Sequence, residues 1–299
     1  MLNNSIALFS LSGTGNTRML SAMLTRYFAE YGVTVHEYRI EDYLQKDIPD
    51  LSKYDIIGIG YPIHAFNAPM PVIKFAEKLP TCNGQQVFFF KTSGEPFPPN
   101  HSSSYILHKK MVKKSYKLIF ERHFLMPYNI MFKYPDSLVK QMISTNELLA
   151  KGMAKSILQD KHELLDYKIA SRINSFNFRY IMHYGAKVNG KLFRANKKCN
   201  LCQICVSECP SRNITCKNGK IKFGWDCFLC MSCVLKCSKN AISIGLLNLW
   251  ALNGRYDFDR IMLGENIKSS YVNIKTAGYF RLFKKYYLKA SEIIDRELG

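Results

Sequence analysis

The chain has 299 residues, 47% hydrophobic and 22% charged, with 17 glycines and 11 prolines. That balance excludes a disordered chain, and the length excludes a single small module; one sizeable domain with a smaller one is expected. The formal net charge of +19 is unevenly placed, because residues 99–198 carry 19 Lys/Arg against 6 Asp/Glu while residues 1–98 are close to balance.

In chain order, Ile6–Ser10 is a short apolar run of strand type, followed at once by Ser12-Gly13-Thr14-Gly15-Asn16-Thr17. A helix then runs through Tyr31 and stops at Gly32, with Met19, Leu20, Met23, Leu24, Tyr27 and Phe28 at helical spacing. A glycine-rich turn entering a helix offers backbone N–H groups to an anion, and the helix dipole favours negative charge there. No Gly-Lys-Ser/Thr ending is present, so a nucleoside-triphosphate loop is not expected. Gly13 and Gly15 begin a dinucleotide fingerprint, but Arg18 stands at its third glycine. A loop rich in hydroxyls and poor in lysine suits a terminal phosphate monoester such as that of FMN. Taken alone, Asn16 or Thr17 would also serve as an ordinary helix cap.

Val33–Arg39 and Asp55–Gly60 read as the next strands, Pro71–Leu79 as a proline-started helix, and Gln86–Lys91 and Leu118–Leu125 as the last strands. This alternation predicts an α/β fold with a doubly wound parallel sheet, whose ligand lies beyond the carboxyl ends of the strands. Three loops converge there. Tyr61, Pro62, His64 and Phe66 supply rings and a stiff backbone against a flat isoalloxazine. Thr92, Ser93, Gly94 and Glu95 supply amides and close approach to its polar rim. Ordinary strand-end loops with core aromatics would look similar, residue by residue. The Ser12–Thr17 loop resembles the FMN-phosphate loop of flavodoxins, which implies a flavodoxin-like sheet and bound FMN.

Asp136–Asp160 and Leu164–Tyr184 read as basic helices, with Leu138, Met142, Leu148, Leu149 and Met153 among the apolar positions. They give a flavodoxin-like domain with helical extension over residues 1–184. Residues 185–198, with two glycines and four lysines, read as a short linker. Residues 247–299 form a C-terminal helical extension in which Phe280, Phe283, Tyr287, Ala290 and Ile294 mark an amphipathic helix, expected to pack back on the body.

Between them, residues 199–246 hold eight of the ten cysteines in two copies of one spacing. Cys199, Cys202, Cys205 and Cys209 form the first, and Cys227, Cys230, Cys233 and Cys237 the second, each 28 residues after its counterpart. Ile214 and Ile242 obey the same offset. Zinc closes at four ligands and does not call for this doubled run, and disulfides belong to oxidising compartments. Two 4Fe–4S clusters are expected in a small α+β unit. The run is similar to that of two-cluster bacterial ferredoxins, with Ser238 where proline often follows the fourth cysteine. That likeness implies that the fourth cysteine of each run ligates the other run's cluster. One cluster would take Cys199, Cys202, Cys205 and Cys237, the other Cys227, Cys230, Cys233 and Cys209. Cys82 and Cys216 are left over and are assigned no role.

With YPIHAFNAP at residues 61–69, KTSGEP at 91–96 and LMPYN at 125–129, the chain resembles the EFR-type flavodoxin–ferredoxin fusions of anaerobic bacteria. The resemblance implies FMN, two 4Fe–4S clusters and electron transfer. An electron carrier is the leading expectation; a reductase of a small organic acceptor, fed by the clusters, is the alternative. No residue is singled out as catalytic. The basic charge suits docking to an acidic redox partner (a ferredoxin, a flavodoxin or an acceptor enzyme), and solvated helix faces would also account for much of it. No basic motif of a nucleic-acid reader is present, so nucleic acid is not an expected partner. No stretch approaches the roughly 18 apolar residues of a spanning helix, since Ser243, Gly245 and Asn248 interrupt Ala241–Leu252. Met-Leu-Asn-Asn at the start is unlike a signal peptide, so a cytoplasmic location is expected.

Overall fold

Five apolar runs become five parallel strands. The structure, a computed structural model, describes residues 5–130, 133–249 and 256–299. The opening residues Met1–Asn4 and the end of the Ala241–Leu252 stretch lie outside the described residues. Strands β1 (Ser5–Ser10), β2 (Thr34–Arg39), β3 (Ile56–Pro62), β4 (Gln86–Ser93) and β5 (Lys117–Leu125) form one sheet in the order β2-β1-β3-β4-β5. This is the flavodoxin-like doubly wound order, with its switch point between β1 and β3.

Strands β1, β3, β4 and β5 are buried along nearly their whole length because helices cover both faces, whereas the edge strand β2 is largely exposed. On one face, α1 (Asn16–Glu30) and the long α5 (Asp136–Leu158) pack over Leu8, Phe88 and Phe90. On the other, the short α2 (Ile40–Tyr43), α3 (Met70–Lys78) and α4 (Tyr105–Lys113) belong to the layer over Phe9, Ile57, Ile59 and Phe89. In α5, Leu138, Met142, Leu149 and Met153 are buried as their spacing predicts, whereas Leu148 faces outward. α1 ends where expected, with Gly32 in the left-handed region at φ 79°.

Helix α6 (Ile169–Lys191) overturns the reading of residues 185–198 as a linker. The helix continues through Gly185 and Gly190, and β6 (Arg194–Ala195) then pairs with β9 (Ile242–Ser243). Glycine serves close packing here: a Cβ on Gly190 would overlap the Cβ of Cys227 and lie 2.6 Å from its sulfur.

The cysteine-rich unit is built twice. Its first half holds α7 (Ile204–Ser207), β7 (Ile214–Lys217) and β8 (Lys220–Phe223); its second holds α8 (Ser232–Leu235) and β9. Ala195 pairs with Ile242 as Phe223 pairs with Ile214, again 28 residues apart. Left-handed residues recur at the same offset: Leu201 with Leu229, Gln203 with Met231, and Arg212 with Asn240.

After α9 (Phe258–Leu263), helix α10 (Lys284–Leu298) packs back on the body, as expected. Phe283 and Ala290 are buried in the core that also holds α1 and α5. Arg122 of β5, 3% exposed, donates to both carboxylate oxygens of Glu297 at 2.8 and 2.5 Å. Among the described residues, no helix is long and apolar enough to cross a membrane.

Candidate functional site

The turn after β1 sits at the carboxyl end of the sheet. Gly15, at φ 106°, is the residue that caps α1, and neither Asn16 nor Thr17 provides a side-chain cap. Ser12 Oγ accepts the N–H groups of Gly15 and Arg18, both at 3.2 Å. The amides of Asn16 and Thr17 lie in the first turn, where no carbonyl of the helix can serve them. No atom comes within 4 Å of where a Cβ on Gly15 would stand. Free amides, a left-handed glycine and open space make an anion nest, and the residues present therefore fit a phosphate.

The side chains of this turn tie it to the other loops. Thr17 Oγ1 and Thr92 Oγ1 share a hydrogen bond of 2.9 Å. Asn16 donates to the carbonyl of Pro127 at 2.9 Å, and Asn129 donates to Thr14 Oγ1 at 2.7 Å. The ring of Tyr128 lies flat enough on Gly94 that a Cβ there would meet ring carbons at 2.6–2.8 Å. Tyr134 donates to the carbonyl of Gly94 at 2.8 Å, and the hydroxyls of Tyr128 and Tyr279 both donate to the Glu95 carboxylate. Burial, then the Glu95 contact, raises the Tyr128 phenol well above its ordinary range. Ser93 Oγ bonds the Glu95 carbonyl and His123 Nε2, both at 2.7 Å. The third loop is thus walled by tyrosines, one of them from the C-terminal extension.

The second loop behaves differently. Tyr61 is fully buried, with Ile57 and Ile59 on the α3 side of the sheet, so it presents no face to a flavin. Pro62 is the last residue of β3, opposite Thr92. Phe66, left-handed at φ 61°, packs edge-on against Phe97 and Phe178 instead of lining the phosphate turn. His64 leans on Phe228 of the cysteine-rich unit, ring centroids 6.0 Å apart. Burial lowers its imidazolium to about 4, opposed by a hydrogen bond to the Phe228 backbone.

All ten cysteines are free of disulfides. Burial raises the Cys205 thiol to about 11, and Cys199, Cys202 and Cys237 add to the rise. Burial likewise raises Cys227 to about 11, Cys230 to about 12 and Cys233 further, and Cys209 adds to all three. Two thiol neighbourhoods result: Cys199, Cys202, Cys205 with Cys237, and Cys227, Cys230, Cys233 with Cys209. They adjoin, since Cys205 also acts on Cys233. The N–H groups of Asn213 and Ala241 donate to the sulfurs of Cys209 and Cys237, both at 3.3 Å, and Leu229 donates to Cys227 at 3.4 Å. Thiols crowded together resist ionising until positive charge is supplied, and amides aimed at sulfur favour the thiolate. These residues fit iron–sulfur centres. Among the described residues no group of three or more His, Cys, Asp or Glu is gathered for a single metal ion.

The contact that joins the two halves is one the sequence did not disclose. Gly13 of the phosphate turn lies on Cys230: a Cβ there would overlap the Cys230 carbonyl oxygen and stand 2.8 Å from its Cβ. Arg39 pairs with Glu208 at 3.6 Å, and Arg212 donates to Gln45 at 2.5 Å, across the same seam. Cys202 is the exposed one among the ten cysteines.

No protein-family model matches the chain, and no curated protein matches it. Among solved structures, a flavodoxin from the domain Archaea is 12% identical over 52% of this chain and 99% of its own, with a TM-score of 0.36. A short-chain flavodoxin associated with a PDU bacterial microcompartment is 18% identical over 52% of this chain and 99% of its own, TM-score 0.38. The Megasphaera elsdenii flavodoxin is 18% identical over 50% of this chain and 98% of its own, TM-score 0.34. Likeness at this level adds nothing to what the strand order already states.

Proposed function

We propose that the protein is an electron-transfer iron–sulfur flavoprotein, holding FMN on its flavodoxin-like sheet and two 4Fe–4S clusters in the cysteine-rich unit. FMN supplies a couple that exchanges electrons in pairs or singly, and each cubane supplies a one-electron couple. Ser12, Gly13, Thr14, Gly15, Asn16 and Thr17 would hold the flavin phosphate, with Thr92, Ser93, Gly94 and Glu95 at the ring. Tyr128 and Asn129 join them on the evidence of their contacts. Cys199, Cys202, Cys205 and Cys237 would hold one cluster, and Cys209, Cys227, Cys230 and Cys233 the other.

The observation that carries this reading is the packing of Gly13 on Cys230. Cys230 of the one proposed set lies against the turn, and Cys202 of the other is exposed. An exposed thiol in one set and a thiol of the other packed on the turn support a path between a docked partner and a flavin. The amide-to-sulfur bonds are among the levers that set a cluster's potential. The net charge of +19 supports an acidic redox protein as the partner. Unpaired cysteines support a reducing, cytoplasmic setting.

Anaerobic purification followed by iron, sulfide and flavin analysis tests the reading. About eight iron, about eight sulfide and about one FMN per chain are expected. Cys230→Ser and Cys209→Ser, from different runs, should each leave about four iron. Colourless protein containing zinc would overturn it. A second reading, reduction of a small organic acceptor, is favoured by one observation: a cation-lined crevice beside Cys227.

A further inference from the structure

A crevice of about 330 Å³ lies where α3, α6 and the cysteine-rich unit meet. Arg179 and Lys187 of α6 and Lys74 of α3 line it, against one carboxylate, that of Asp226. Among the described residues none of these three cations forms an ion pair or a hydrogen bond. Arg179 is half-buried all the same, and burial lowers its guanidinium pKa. A desolvated guanidinium with no counter-charge is costly, and an anion in the crevice would relieve it. Lys187 and Lys74 both act on the ring of His183, after burial, in lowering its pKa, so the cations converge on one space. Met182, Pro210 and Phe228 give the wall an apolar part, Gln45, Asn67 and Ser211 add uncharged polar groups, and Cys227 and His64 also line it. An apolar wall with a few convergent polar groups is the usual make-up of a small-molecule site.

We propose that this crevice binds a small organic anion, a compact apolar or aromatic body bearing one carboxylate or phosphate, with Arg179 as its principal anchor. The acid group meets Arg179 and Lys187, and the body lies on Met182 and Phe228. The volume is at the small end of ligand pockets and admits a body of about one ring. Lying against Cys227, the ligand touches the thiol set next to the phosphate turn. Its use as an electron acceptor rests on the second reading above, whereas its binding rests on the crevice alone.

Calorimetric titration of the holoprotein at low salt, with benzoate, phenyl phosphate and inorganic phosphate, tests the site. Saturable one-to-one binding of benzoate or phenyl phosphate is expected, and whichever binds tighter identifies the acid group. Arg179→Leu should weaken that binding about tenfold or more, and Arg179→Lys, which keeps the charge but loses the fork, by less. Flavin and iron contents should match the parent in both. The proposal fails if neither aromatic acid saturates the protein, or if Arg179→Leu binds as tightly as the parent. Inorganic phosphate binding as tightly as phenyl phosphate would overturn the apolar half of the assignment. Protein without flavin or iron that still binds benzoate would sink the electron-transfer reading and leave this site standing.

Discussion

Gly13→Ala tests the joint between the two halves of the molecule. Gly13 is not among the glycines with positive φ, so alanine strains no backbone there and the effect is purely one of space. Its Cβ would stand 2.8 Å from Cys230 Cβ, where ordinary contact begins at 3.4 Å, and would overlap the Cys230 carbonyl besides. The two loops must part by about 0.6 Å or more, and both are backbone, which yields less readily than a side-chain tip. Overpacking of this kind costs about 1–3 kcal/mol, or about 5- to 150-fold in an equilibrium constant. Flavin affinity, measured by fluorescence titration of deflavinated protein, should fall within that range, and iron content should fall with it if the Cys230 loop gives way. Gly15→Ala is the control: it has free space but φ 106°, so strain of about 1–2 kcal/mol should weaken flavin binding while iron stays at the parental level. Parental flavin affinity and iron content in Gly13→Ala would refute the joint.

Glu297→Ala should destabilise the fold by about 3–5 kcal/mol, because Arg122 would keep the Leu149 carbonyl but, as a counter-charge, only the partly exposed Glu163 at 3.5 Å; a urea midpoint unchanged from the parent would contradict this. Burial, with Lys91 adding, lowers the His101 imidazolium to about 4 and His123 well below its ordinary value. Both are neutral in the folded chain where the unfolded chain takes up protons, so stability should be full above about pH 6.5 and fall as pH drops towards 4. Denaturant midpoints at pH 7.5 and 5.5 check the sign, and His123→Gln should flatten the difference. Reduction by an acidic ferredoxin should slow several-fold between low and high salt, and stopped-flow rates independent of ionic strength would exclude steering by the basic surface.

Strands β1, β3, β4 and β5 were legible because they are buried on both faces, and each ends within a residue or two of where its run ends; β2 is a polar, largely exposed edge strand that this reason does not cover. The phosphate turn was legible for a local reason, since glycines and hydroxyls must adjoin in sequence to form a nest. The aromatics of the second loop were not. Tyr61 follows Ile57 and Ile59 at a strand's two-residue period, and that parity assigns it to the core before any flavin is considered. Phe66 depends on a left-handed turn that no glycine marks. The supposed linker misled because Gly185 and Gly190 were read as breakers, when Gly190 is small so that Cys227 can approach the helix. Contacts such as Tyr279 with Glu95 join residues 184 positions apart, and no local pattern foretells them.

Two glycines therefore pack on the second cysteine run, Gly13 against Cys230 and Gly190 against Cys227. At either position a side chain would force its neighbour to shift, and each sits on an element anchored elsewhere. The phosphate turn is fastened to Thr92 and Pro127, and α6 to the loop after β3, where Asn67 donates to the Ser175 carbonyl at 2.7 Å. The separation between Cys230 and the turn after β1 is thereby set by close packing of the backbone, which suits the electron transfer proposed above. The crossed thiol sets extend the same logic. Under the proposed assignment Cys209 would belong with the second run and Cys237 with the first, so that neither run would complete a four-thiol set without the other.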